Sequence, residues 1–240
     1  MARAWLPVAF LLVAAPGRAA AQAADSETYT FLLAELLEYQ LDDGTNPAAW
    51  ELLGWTGGDY NRIWFKSEGA ATTSDVGEVE GEVQVLYGRL ITPFWDFQIG
   101  IRGDLISDEM DTRGRAHAMV GLEGLAPGWF DVDAGAYVSH EGDVSGRLTA
   151  TYAVYITQRL VAEPRFEINA AVQDVEEFGV GSGLSILDLG LRIRYEVRRE
   201  VAPYLGVAWE RSFFDTAMFA RARGEDPSTL AAVAGIRAWL

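Results

Sequence analysis

The sequence has no cysteine, and it contains only two histidines and four methionines. The absence of cysteine excludes disulfide bonds and thiolate metal sites. No stretch after residue 22 approaches the roughly 18 consecutive apolar residues that a membrane-spanning helix needs. Basic residues are also scarce, since 19 Lys and Arg oppose 35 Asp and Glu for a formal net charge of −16. This balance argues against a nucleic-acid partner and fits a surface that attracts cations.

The first residues have the features of a secretory signal peptide over 1–21. Arg3 provides a basic start, residues 6–15 form an apolar stretch too short for a membrane anchor, and A-x-A sites allow cleavage after residue 21 or 23. Removal of Arg3 and Arg18 changes the formal charge from −16 to −18. We therefore expect an exported protein with a short N-terminal segment, 22–27, followed by a single domain over 28–240.

Apolar and polar residues alternate with a period of two through most of the chain. Leu187, Leu189, Leu191 and Ile193 alternate with Asp188, Gly190, Arg192 and Arg194, for example. A helix, with its period of 3.6, cannot hold such a pattern on one face. The pattern predicts about twelve strands, at 28–41, 48–56, 60–68, 78–91, 95–105, 114–125, 129–139, 144–157, 160–173, 184–198, 202–213 and 228–240.

The links between these strands alternate in length. Tight links follow the even-numbered strands, whereas the largest of the others span 69–77, 106–113, 174–183 and 214–227; the short link His140–Asp143 is the exception. This asymmetry is typical of an all-β, up-and-down antiparallel outer-membrane β-barrel, whose short turns are periplasmic. An even number of strands then puts both termini in the periplasm. An aromatic girdle is expected at that interface, formed by Phe94, Trp95, Trp129 and Phe130.

The polar face of such a barrel lines its lumen, and here that face is highly charged. The predicted inward acids are Glu78, Glu80, Glu82, Asp96, Asp104, Glu123, Asp131, Asp133, Glu163, Glu167, Asp188, Glu196 and Glu210. The predicted inward bases are Arg62, Lys66, Arg102, Arg115, Arg147, Arg165, Arg192, Arg194 and Arg237. One interpretation is a ladder of salt bridges that fills the bore. The other is a cation path that uses the excess of acids, and the two are compatible if a narrow channel remains.

Several phrases, taken in order over 28–240, resemble the copper resistance protein B family of bacterial outer-membrane proteins. They are Gly58-Asp59-Tyr60-Asn61-Arg62 with Trp64, Lys66 and Glu68; Gly124-Leu125-Ala126-Pro127 with Trp129-Phe130-Asp131-Val132-Asp133; Thr157-Gln158-Arg159-Leu160 with Glu163-Pro164-Arg165; Gly179-Val180-Gly181-Ser182-Gly183-Leu184-Ser185; Leu189-Gly190-Leu191-Arg192-Ile193-Arg194-Tyr195-Glu196; Arg199-Glu200 with Ala202-Pro203-Tyr204; Trp209-Glu210-Arg211; and Gly224-Glu225-Asp226.

The resemblance implies an outer-membrane barrel that contributes to copper tolerance together with periplasmic copper-handling proteins. Members of that family typically carry a Met- and His-rich segment between signal peptide and barrel, and copper selects such thioether and imidazole ligands. Here only residues 23–27 lie between the two. The resemblance therefore does not imply that an N-terminal segment of this chain captures copper. Copper is expected as a transported or weakly bound ion.

Few candidate copper ligands follow the signal peptide. His117 and Met119 are two residues apart on one predicted strand, so both face the lumen and can hold Cu(I) weakly; the alternative is two ordinary lumen side chains. His140 lies with Glu141 and Asp143 in the short external link, where it is either a metal ligand or part of a solvated turn. Met110 and Met218 are the remaining candidate copper ligands, and both are expected in loops.

Acidic loops at the long-loop side fit divalent cations that bridge lipopolysaccharide, attraction of cations to a pore mouth, or simple solubility. No catalytic constellation is recognised: there is no G-x-S-x-G motif, and the neighbours Ser139 and His140 point to opposite faces of a strand. The expected function is therefore non-enzymatic, namely passage or binding of copper at the outer membrane, among lipid and lipopolysaccharide. A structural or adhesin-like closed barrel without transport is the alternative.

Overall fold

The computed structural model describes residues 27–42, 44, 46–72, 78–107 and 112–240, so the expected signal peptide lies outside the described residues. The strands are β1 (Tyr29–Leu41), β2 (Ala48–Gly57), β3 (Asn61–Ala71), β4 (Val79–Thr92), β5 (Trp95–Ser107), β6 (Thr112–Ala126), β7 (Phe130–Ser139), β8 (Val144–Tyr152), β9 (Val154–Tyr155), β10 (Leu160–Ala171), β11 (Gly183–Tyr195), β12 (Val201–Ser212) and β13 (Ser228–Trp239).

The strands form a closed antiparallel barrel. Each pairs with its neighbour in sequence, β10 pairs with both β8 and β11, and β13 returns to pair with β1. The short β8 and β9 are two parts of one barrel strand, so the barrel has twelve, which confirms the predicted fold class. Closure leaves no unpaired edge, and a barrel can therefore satisfy its backbone polar groups within lipid.

The two faces of the sheet differ as the alternation predicts. On β4, Val83, Val85 and Tyr87 are exposed on the outer surface, whereas Glu82 and Gln84 are buried inside. A soluble sandwich would have the opposite arrangement, with apolar residues buried and charges facing water. The apolar face is thus the one suited to lipid, and the lumen is polar.

The barrel has two different ends. The short-turn end carries the links 58–60, 93–94, 127–129, 156–159 and 196–200, together with the start of β1 and the end of β13. The long-loop end carries the other links, of which 172–182 and 213–227 are the largest described in full. Phe94, Trp129 and Phe130 are exposed at the short-turn end, where the sequence predicted an aromatic girdle.

The structure moves several predicted boundaries by one to three residues. The link predicted at 106–113 shrinks to 108–111, because β5 and β6 remain paired as far as Ser107 and Thr112. The link predicted at 69–77 becomes 72–78 for the same reason, since β3 and β4 pair as far as Ala71 and Val79. The strand predicted at 144–157 is interrupted at Ala153, where β8 ends and β9 begins.

The segment predicted as loop 214–227 contains a helix, α1 (Phe214–Arg223). Its ends suit the helix dipole, since Asp215 lies in the first turn and Arg221 and Arg223 lie in the last. Gly224 ends the helix in the left-handed conformation, and its N–H bonds to the Ala220 and Arg221 carbonyls. Within the described part of the chain, no helix is long and apolar enough to cross a bilayer.

Candidate cation site in the barrel lumen

Ion pairs cross the bore of the barrel. Arg147 on β8 reaches Glu68 on β3, although β4, β5, β6 and β7 separate these strands around the wall. The same guanidinium lies 2.9 Å from Glu82 on β4 and 3.5 Å from Glu167 on β10. Arg147 therefore ties three parts of the wall together through the centre of the lumen, as the salt-bridge interpretation predicted.

These contacts belong to one connected network. Arg102 bridges Glu82 at 2.6 Å and Asp104 at 2.5 Å. Arg165 bridges Glu51 at 2.8 Å and Glu167 at 2.9 Å. The network joins three guanidinium groups to five carboxylates, namely Arg102, Arg147 and Arg165 with Glu51, Glu68, Glu82, Asp104 and Glu167. Its formal charge is therefore −2.

Two further clusters lie along the lumen. Lys66 contacts Glu123 at 2.7 Å and Asp133 at 2.5 Å, again linking β3 to β6 and β7 across the interior. Arg192 donates two hydrogen bonds, of 2.8 and 2.9 Å, to Glu38. Such two-point pairs fix geometry as well as charge.

Glu35 also forms an ion pair, at 3.1 Å, with Arg237. Four acids that form ion pairs in the barrel were absent from the predicted lumen set: Glu35, Glu38, Glu51 and Glu68. The alternation of β1 is disturbed by register shifts between Ala34 and Glu38, which hide the inward direction of Glu38. Glu68 had a usable signal, because it is two residues after the inward Lys66 on β3.

A cavity of about 480 Å³ lies in the lumen towards the long-loop end. The network lines it, together with Glu80, Asp188 and Glu210. These three carboxylates form no ion pair or hydrogen bond with any other described residue, and Asp188 and Glu210 are directly opposite each other on β11 and β12. The cavity is thus lined by three carboxyl groups that form no ion pair with a described arginine.

The link 172–182 at the long-loop end lines the cavity with Val175, Phe178 and Val180. The link 172–182 is held to β6, where Arg113 donates a 2.7 Å hydrogen bond to the Glu177 carbonyl and Arg115 lies 5.0 Å over the Phe178 ring. The Gly181 N–H donates a 2.8 Å hydrogen bond to the Thr216 hydroxyl on α1. The helix that the sequence did not predict therefore contacts the link 172–182, although no residue of α1 lines the cavity.

His117 and Met119 both point into the lumen, as their two-residue spacing predicted, but their surroundings differ. His117 is 6% exposed, borders the cavity and packs edge-on against Tyr137 with ring centres 6.4 Å apart. Met119 is 1% exposed and packs in an apolar cluster with Trp64, Leu86 and Tyr137. The thioether thus lies in a dry, apolar contact, whereas the imidazole faces the charged network.

The other predicted ligands are spread out. His140 is exposed in the turn between β7 and β8, and Met218 is exposed on α1. Met110 lies outside the described residues. In the described ranges, no group of three or more His, Asp or Glu side chains is placed so that it could hold a metal ion.

Asp143, in the turn beside His140, is directed towards β6 and β7. The Ser139 hydroxyl donates a 3.0 Å hydrogen bond to its carboxylate, and Arg115 also donates to it. The Ser139 hydrogen bond, followed by the Arg115 hydrogen bond and charge, holds the pKa of Asp143 below its usual value. The contacts therefore favour the folded turn at neutral pH, and that contribution is lost as the pH falls through the lowered pKa.

We expect Ser139→Ala to raise the pKa of Asp143 towards the value of about 3.9 that is usual for aspartate. Loss of the turn contacts on acidification then begins at a higher pH than in the unmodified chain. An NMR titration of carboxyl carbons in detergent micelles measures this shift. Ser182→Ala removes a hydroxyl from a different long-loop segment and should leave the titration of Asp143 unchanged; equal pKa values in Ser139→Ala and the unmodified chain would contradict the assignment.

Known proteins with similar sequences and structures agree with this architecture. The family model for the copper resistance protein B precursor matches residues 28–240. The copper resistance protein B of Escherichia coli is 40% identical over 216 residues, covering 90% of this chain and 71% of that protein. A copper resistance protein B homolog of Pseudomonas syringae pv. tomato is 37% identical over 218 residues, covering 91% and 72%.

Among solved structures, the NanC porin superposes with a TM-score of 0.51 at 13% identity and covers 88% of this chain and 99% of its own. That similarity concerns the fold, and it shows a barrel of the outer-membrane porin type. The sequence similarity is closer and extends over the whole barrel. The chain belongs to the copper resistance protein B family.

Proposed function

We propose that this barrel contributes to copper tolerance by binding copper ions in its lumen and passing them across the outer membrane. The observation that carries the proposal is the cavity of about 480 Å³ lined by the unpaired carboxylates of Glu80, Asp188 and Glu210. Negative charge in a low-dielectric recess concentrates cations there. The names of the relatives indicate that the metal is copper, and the excess of acidic residues provides the electrostatic attraction for a cation.

The proposal includes an orientation and a non-enzymatic role. Short turns are periplasmic in outer-membrane barrels, so we place both termini in the periplasm. The cavity then lies in the half of the lumen that is nearer to the cell exterior. Periplasmic copper-handling proteins would then meet the short-turn end, while lipid and lipopolysaccharide surround the apolar wall. The chemistry asked of the lumen is ion binding and passage, with no bond made or broken in a substrate.

Copper flux into proteoliposomes that contain a copper-sensitive dye tests the proposal. We expect the unmodified barrel to admit copper, and the double variant Asp188→Asn/Glu210→Gln to reduce the rate by about tenfold, at the low end of what charge focusing supplies. The matched control Asp226→Asn removes an acid from the link 213–227. Flux equal to that of empty liposomes, with unchanged copper tolerance after deletion of the gene, would reject copper passage.

A closed structural barrel without transport is the second candidate. The ion pairs that Arg147 makes across the bore favour it, because they place side chains in the path that an ion would take. This candidate predicts no copper flux and no loss of copper tolerance on deletion, so the same two measurements separate the candidates.

A further inference from the structure

His117 has an unused ring nitrogen in a buried position. Its side chain is 6% exposed, and Nδ1 has no hydrogen-bond partner among the described residues. Asp104 Oδ2 on the neighbouring strand β5 lies 3.6 Å from this nitrogen, which is too long for a hydrogen bond. Buried polar atoms are normally satisfied, so an orphaned imidazole nitrogen aimed at a carboxylate points to a partner that sits between them.

The carboxylate beside His117 is already part of a cation site, occupied by an arginine. Arg102 joins Asp104 to Glu82, with contacts of 2.5 and 2.6 Å. Glu82 and Asp104 are directly opposite each other on β4 and β5, and both border the cavity. Two carboxylates facing one another repel unless a cation lies between them, and here the guanidinium fills that place.

Arg102 has a second favourable contact available. Its guanidinium already lies 4.7 Å over the Tyr137 ring, a cation–π position that it can keep after it leaves the carboxylates. The network around it has a formal charge of −2, from five carboxylates and three guanidinium groups. One divalent cation would neutralise that charge.

We propose that His117 Nδ1, Asp104 and Glu82 form a binding site for a divalent first-row transition ion, which takes the place of the Arg102 guanidinium between the two carboxylates. This deepens the proposed function, on which the identity of the ion as copper rests. One imidazole and two carboxylates suit Cu(II) or Zn(II), whereas Cu(I) prefers thioether and thiolate ligands. The nearby Met119 thioether is packed against Trp64 and Leu86 instead, so the site selects the oxidised ion.

The proposed ligand set differs from the pair that the sequence suggested. His117 and Met119 share a strand and a face, but the acids that accompany His117 come from β4 and β5. The site borders the same cavity as Asp188 and Glu210. These unpaired carboxylates attract the ion into the cavity, and His117 with its two acids acts as the binding position.

Electron paramagnetic resonance of the purified full chain in detergent micelles, with one equivalent of Cu²⁺, tests the site. We expect hyperfine coupling to one imidazole nitrogen. His117→Gln should abolish that coupling and weaken Cu²⁺ binding by more than about tenfold, since even the loss of an outer partner costs that much. Asp104→Asn keeps a contact for Arg102 and should weaken Cu²⁺ binding comparably.

The second histidine provides the matched control. His140→Gln removes the exposed imidazole of the β7–β8 turn and should leave both the coupling and the affinity unchanged. Met119→Leu should leave Cu²⁺ binding unchanged as well. Nitrogen coupling that persists in His117→Gln, or that disappears in His140→Gln, overturns the site, and so does a folded unmodified chain that binds no Cu²⁺.

The two measurements distinguish failure of the proposed binding site from failure of the proposed copper passage. A His117-dependent Cu²⁺ signal without copper flux would retain the site and reject passage. Flux that survives in His117→Gln and Asp104→Asn, with no Cu²⁺ signal in the unmodified chain, would retain passage and reject the site.

Discussion

Replacement of Arg147 by methionine should open the lumen to small ions and lower the free energy of unfolding by about 3–5 kcal/mol, the range for removing one partner of a buried ion pair. Arg147 holds Glu68, Glu82 and Glu167 around one guanidinium in the middle of the bore. Methionine has a similar reach but no charge, so three carboxylates that now share a cation would repel one another. They would separate or take up water, and either response widens the path.

Two measurements check this prediction. Single-channel recording in planar bilayers should show a low conductance for the unmodified barrel and a clearly higher one for Arg147→Met. Heat-modified mobility on gels should show unfolding at a lower temperature. The matched control is Arg223→Gln, whose ion pair with Glu225 lies at the surface with both side chains 49% exposed, and which should cost at most about 1 kcal/mol. If Arg147→Met matched the unmodified barrel in conductance and melting, Arg147 would not close the bore.

The sequence predicted the wall of the barrel more accurately than its ends. Side-chain alternation is a local property, and it located all twelve barrel strands because each side chain meets either lipid or lumen. Strand ends depend on how far backbone pairing continues beyond the lipid, which polar residues such as Ser107 and Thr112 do not reveal. The sequence did not predict the helix α1, because a short helix within a loop shows little of the 3.6-residue periodicity in hydrophobicity.

Contacts between side chains in the lumen were also harder to predict than the direction of each side chain. The inward direction of His117 follows from its spacing on β6, but its neighbour Asp104 follows from the register between β5 and β6. A boundary error of one residue changes that register and exchanges the faces of a whole strand. Contacts across the bore, such as Arg147 with Glu68, depend further on the tilt and stagger of the closed barrel. Sequence therefore indicated many of the charges that face inward, and the fold determined which of them meet.

The second large effect is expected on β5, where Gly100→Val should destabilise the barrel by about 1–3 kcal/mol or more through overpacking. Gly100 faces inward between Leu86 on β4 and Met119 on β6. A Cβ there would overlap the Val85 carbonyl oxygen and lie 2.8 Å from Leu86 Cα. Since these are backbone atoms, the strands themselves must move apart, and the apolar cluster around Met119 would lose its packing.

Gly103 on the same strand provides the control, because a Cβ there meets nothing within 4 Å. Gly103 is on the outer face, so Gly103→Val adds an apolar β-branched side chain towards lipid and should leave the melting temperature unchanged or raise it. Both variants place the same residue in the same strand, and heat-modified mobility compares them directly. Equal melting of the two would mean that the β4–β5 spacing adapts freely. A lower value for Gly100→Val alone would show that the close approach of strands at Gly100 is what lets large side chains fill the bore.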